Sequence, residues 1–106
     1  MTIAVHITFE ALPGKGDQLE AVLLEIVADV MSLEDSTGCD LMRSVDNPLK
    51  FTLVEWWPSI EAHKRVHDEH LINAELPLRL EPLLDGGLAG LATRIGYQSA
   101  IARRIK

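Results

Sequence analysis

Three histidines, His63, His67 and His70, stand at i, i+4 and i+7 in one short stretch, a spacing that places them on one face of a helix. Imidazole titrates near neutral pH, so such a face could take a proton from a bound phenol or return one. Pairs at that spacing also suit a metal, but no carboxylate shares the face, and no metal site is assigned. Just before them come two tryptophans, Trp56 and Trp57. In an extended strand adjacent side chains point to opposite sides, so one indole should face the helices and the other a partner's sheet. Glu55 lies beside them on a mostly apolar strand, where an unpaired charge is costly to bury. It is expected to be structural, paired with Arg43 on a neighbouring strand or with a residue across a dimer. Arg94, further on, could pair with a carboxylate or hold an acidic substrate.

These residues need a scaffold, and the apolar pattern supplies one. Ile3, Val5, Ile7 and Phe9 alternate with Ala4, His6 and Thr8, the period of a strand. Pro13-Gly14 breaks it. Beyond Asp17, taken as an N-cap, Leu19, Val22, Leu23, Ile26, Val27, Val30 and Met31 recur at helical spacing, ending near Ser36-Thr37-Gly38. Cys39 to Val45 and Phe51 to Trp57 form a hairpin across the turn formers Asp46-Asn47-Pro48. Ser59 caps a second helix from Ile60 to about His70. Pro77 and Pro82 reduce Leu71 to Leu84 to short helical turns, and Leu88 to Tyr97 is expected as a last strand after Asp85-Gly86-Gly87.

The order is βαββαβ, the ferredoxin-like split β-α-β form of the α+β class: a four-stranded antiparallel sheet with both helices on one face. The strand from Phe51 to Trp57 carries large apolar groups on both faces, so the face without helices needs its own cover. A second copy, sheet against sheet, would provide it as a homodimer.

With 106 residues, 47% of them hydrophobic, the chain suits a single domain over 1–106 with one core. The formal net charge of −6 and a basic cluster confined to the tail at 103–106 argue against nucleic acid as a partner. No run approaches the roughly 20 apolar residues of a membrane span, and no signal-like leader opens the sequence. The single cysteine, Cys39, rules out an internal disulfide and suits a reducing compartment. A protein of the cytoplasm, without membrane contact, is expected.

Taken in order, Pro13-Gly14, Gly38-Cys39, Asp46-Asn47-Pro48, Phe51 to Ser59 with its Glu55-Trp56-Trp57, Glu61-Ala62 and His67 resemble the signature of the antibiotic biosynthesis monooxygenase family. The resemblance runs from about Ile3 to Leu71. It implies a dimeric α/β barrel with a ligand pocket between each sheet and its helices. It also implies oxidation of phenolic or quinol-like substrates by molecular oxygen with no cofactor, the substrate itself supplying the electrons. By the same resemblance His67 is the expected catalytic base and Trp57 a pocket residue; Trp56, His63, His70 and Arg94 are further candidate substrate contacts from their own types and positions. The sequence departs from the family pattern in the spacing from Trp57 to His67, in Asp68-Glu69-His70, and in Trp56 where an arginine is more usual.

The reading that results is a homodimeric, cofactor-independent monooxygenase acting on a small aromatic or quinol-like ligand. Its rival is a dimer of the same fold that binds a small ligand without catalysis or serves regulation. Haem degradation is a lesser alternative, because the first strand lacks the asparagine that haem-degrading relatives of this fold use there.

Overall fold

The computed structural model describes residues 2–69 and 75–104, with the backbone only for 67–69. Strand β1 (Ile3–Glu10) leads to helix α1 (Gly16–Met31), strands β2 (Gly38–Arg43) and β3 (Lys50–Trp57), and helix α2 (Ile60–Glu69). Short helices α3 (Glu75–Leu80) and α4 (Gly87–Ala92) flank a 3-10 turn at Glu81–Leu83, and β4 (Ile95–Ser99) closes the order. The strands form one four-stranded antiparallel sheet in the order β2-β3-β1-β4. This is the expected ferredoxin-like α+β arrangement, with β1 and β3 central.

The alternation read from the sequence decides the two faces. Val5, Phe9, Phe51, Leu53 and Trp57 are buried on the helix side against Leu19, Leu23 and Val30 of α1 and Leu76 and Leu80 of α3. Each such side chain contributes about 1.5–3 kcal/mol through its removal from water. The other face presents Thr8, Thr52, Val54 and Trp56, partly exposed, and the exposed Asp40 and Met42. There the Trp56 indole donates to Asp40 Oδ2 at 3.0 Å, and the Arg103 guanidinium lies 4.3 Å from the centre of the indole ring.

Three local expectations need correction. Asp17 is inside the first turn of α1, and Lys15 is the residue at the cap, without a side-chain capping bond. Asp17 instead accepts from Arg43, whose guanidinium also reaches Glu20 and the Pro48 carbonyl. That removes Arg43 as the partner of Glu55: Arg43 pairs with Phe51 in register, whereas Glu55 pairs with Cys39 at the far end of β2. The third correction is Leu88 to Ala92, which is helical rather than extended. Gly86 and Gly87 turn the chain at φ of 80° and 62°, and Glu81 Oε2 accepts from the Leu88 amide at 2.6 Å, so a carboxylate satisfies a helix-start donor in a segment rich in alanine and leucine.

Ser59 does cap α2, its Oγ accepting from the Ala62 amide at 3.0 Å. The prolines do confine 75–83 to short turns. Among the described residues, no helix is long and apolar enough to cross a membrane.

Candidate active site

Between the helix face of the sheet and the helices lies a cavity of about 400 Å³, within the range of small-molecule sites. Ile7 and Leu53 form its floor, Ile26 and Val30 of α1 one side, and Leu76 and Leu80 of α3 another. Against these apolar surfaces, the polar groups among the described residues gather on one wall, made by Glu55, Trp57, His63 and Tyr97, with the exposed Lys64 beside it.

Strand pairing builds that wall. Glu55 and Trp57 share the inward face of β3, one pleat apart. The Trp57 indole, 1% exposed, donates to Glu55 Oε1 at 3.1 Å. Helix α2 packs Ala62, His63 and Val66 inward, so the His63 ring sits edge-on to Trp57 with centroids 5.5 Å apart. Its Nε2 lies 3.9 Å from the same Glu55 oxygen. On the other side of the imidazole, Nδ1 is 3.2 Å from the Tyr97 hydroxyl. Tyr97 arrives from β4, which pairs with β1. A buried carboxylate, an imidazole and a phenol thus form one connected array facing an apolar chamber.

Cys39 pairs with Glu55 in register. Burial pushes its thiol up to about 12, with the charges of Glu55 and Asp40 adding to the effect, so it is a neutral packing group at physiological pH, not a nucleophile.

Among the residues expected from the sequence, the structure brings Trp57 and His63 into the cavity wall. Trp56 is on the opposite face of the sheet, bonded to Asp40. Arg94 sits in the turn before β4, 3.9 Å from Glu10 Oε2, and is not part of the cavity wall. His67 belongs to α2, but its side chain lies outside the described residues, as does the whole of His70. Among the described residues no group of three or more histidine, cysteine, aspartate or glutamate side chains is placed to hold a metal ion.

Two members of the wall were not singled out as site residues. Glu55 was legible: it occupies the inward register of Phe51, Leu53 and Trp57, and a carboxylate in that register is either paired or functional. Tyr97 gave no comparable signal, because its place beside His63 depends on the pairing of β4 with β1.

The sequence of residues 2–71 matches the family described as antibiotic biosynthesis monooxygenase. The chain belongs to that family. Solved structures agree on the fold. PA3566 from Pseudomonas aeruginosa superposes with a TM-score of 0.78 at 22% identity, covering 95% of each chain. A variant of SnoaB, a cofactor-independent oxygenase from Streptomyces nogalater, gives a TM-score of 0.77 at 14% identity, covering 96% of this chain and 95% of that one. Rv0793 from Mycobacterium tuberculosis gives 0.74 at 18% identity, covering 97% and 98%. No curated protein matches the chain. Membership supports a monooxygenase-family role in general terms; the reaction and its substrate must be argued from the cavity.

Proposed function

We propose that this member of the antibiotic biosynthesis monooxygenase family is a cofactor-independent monooxygenase that oxidises a small phenol or quinol held in the cavity between sheet and helices. The observation that carries the proposal is the buried Glu55–His63 pair set in the wall of a chamber whose described lining is mostly apolar. Apolar walls favour a fused or substituted aromatic ring over a sugar or an amino acid. Among the described residues, the proton-accepting groups gather at one locus of that chamber, which suits a ligand that must be ionised before it reacts.

The chemistry then belongs mostly to the ligand. Loss of the phenolic proton leaves an electron-rich anion that reduces oxygen. The new carbon–oxygen bond forms at an open ring carbon, giving a hydroperoxide, and loss of water leaves a carbonyl. One phenol and one dioxygen yield one quinone and one water, with all four electrons drawn from the ring. The protein's part is to accept the proton, hold the ring and keep bulk water from the anion. The carboxylate of Glu55 favours the imidazolium that results.

The working unit under this proposal is a homodimer. In support, the sheet face away from the helices carries Val54 and Trp56, and Met42 is 50% exposed there, an apolar strip that a second copy would cover.

The test is oxygen uptake by the purified, chelator-treated protein with anthrones, naphthols and hydroquinones, repeated with His63→Gln, Glu55→Gln and His67→Ala. Uptake above each compound's own autoxidation, lost in His63→Gln, is the expected result. Retained binding with no uptake for any compound would refute catalysis and leave a ligand-binding protein on the same scaffold.

A further inference from the structure

Resting on that reading, we infer that Tyr97, not the imidazole, is the group that meets the ligand's hydroxyl, and that it passes the proton to His63 Nδ1. Three observations lead there. The imidazole has a protein group at each nitrogen, Tyr97 at Nδ1 and Glu55 near Nε2. His63 is 9% exposed, whereas Tyr97 is 40% exposed, and both line the cavity. A ligand entering the chamber therefore reaches the phenol oxygen more readily than either ring nitrogen. Finally, the negative charge of the carboxylate 3.9 Å from Nε2 favours the tautomer that carries its proton on that side, which makes Nδ1 the acceptor for the Tyr97 hydroxyl.

The transfer balances in one step. The ligand's O–H bond breaks and its proton forms a new O–H bond on Tyr97, while the original Tyr97 proton moves along the 3.2 Å contact to His63 Nδ1. Tyr97 ends as it began, the ligand is an anion and the imidazole a cation. Glu55 on β3 faces that cation, and Cys39 on β2 lies next to Glu55 as a neutral thiol. Lys64 on α2 reaches over the Tyr97 ring at 5.9 Å and is the only lysine or arginine among the described residues lining the cavity, so it favours the anion at the mouth. The described groups facing the array from α1 and α3, among them Ile26, Val30, Leu76 and Leu80, are apolar. The ligand class this favours is a phenol whose hydroxyl lies at the end of the ring system that points towards β4, with no second acidic group deep in the chamber.

The relay can be tested without turnover, using 4-nitro-1-naphthol, whose anion absorbs visible light. In the wild type, bound naphthol should ionise at lower pH than free naphthol. Tyr97→Phe removes only the hydroxyl from an edge-strand position and should keep the affinity within a few-fold, yet abolish the lowered ionisation of this probe and slow, at least tenfold, oxygen uptake with the electron-rich compound that the wild type turns over. His63→Gln should abolish it as well. Unchanged ionisation of the bound ligand in Tyr97→Phe would overturn the relay while leaving the oxygenase reading intact, because the imidazole would then be acting directly. Lowered ionisation that depends on Tyr97, without oxygen uptake from any of the anthrones, naphthols and hydroquinones, would uphold the relay and refute the oxygenase. No binding by the wild type would overturn both.

Discussion

The Cys39 thiol offers a direct readout of the charge on Glu55. Burial, with Glu55 and then Asp40 adding, pushes it up to about 12, against about 8.5 for an exposed cysteine. At about pH 8 its thiolate fraction is therefore on the order of 10³ smaller than that of a free cysteine. A more basic thiolate is the better nucleophile, with a Brønsted slope of about 0.4–0.5, which returns part of that factor and leaves a rate on the order of 10² lower before access is counted. The assay is alkylation by iodoacetamide followed by intact mass, in buffer and in denaturant. In buffer the rate should be at least 10²-fold below that of glutathione and should keep climbing about tenfold per pH unit past pH 9. In denaturant it should match glutathione. Glu55→Gln, which removes the larger of the two charge contributions, should speed the native reaction more than Asp40→Asn does. The sign for stability follows: a thiol raised on folding holds its full contribution below the unfolded value near 8.5 and loses it as pH rises towards the folded value. A native rate within threefold of glutathione at about pH 8, or one indifferent to Glu55, would refute the picture of a buried thiol beside an ionised carboxylate.

Replacing Trp57 by phenylalanine keeps much of the packing but removes the indole donor from buried Glu55, and should cost about 1–3 kcal/mol in urea unfolding. Arg79 holds the Glu25 carboxyl below its ordinary range through a direct side-chain bond between α3 and α1. Arg79→Gln should return Glu25 to ordinary carboxylate titration by NMR; the favourable pairing is present above the unfolded carboxyl value and is lost as pH falls through the depressed one, so the difference between the two proteins should vanish in acid. Val54→Asp, on the strip proposed for the second copy, should shift sedimentation velocity from dimer to monomer while leaving the far-ultraviolet dichroism unchanged.

The parts of the fold legible in the sequence are those fixed by local repetition. Alternation gave β1 and β3 with their inward faces, and helical spacing gave α1, because period alone determines which side chains share a face. The last quarter was less legible for a physical reason. Leu88 to Ala92 has a composition compatible with strand or helix, and the choice depends on Glu81 reaching the Leu88 amide, a contact that no periodicity announces. The site divides in the same way. Trp57 and Glu55 declare themselves by register on one strand, and His63 follows the inward stripe of α2 between the buried Ala62 and Val66. His67, one turn further on, shares that face by its i, i+4 spacing from His63, and its side chain lies outside the described residues. Tyr97 is legible only after the sheet order is known: β4 must lie beside β1, and His63 must project from α2 over that side of the sheet, before two residues so far apart in sequence can share a hydrogen bond. The array depends on the strand crossover, so a relative that keeps the Glu-x-Trp of β3 but lacks a hydroxyl at this position of β4 would have to take its proton by another route.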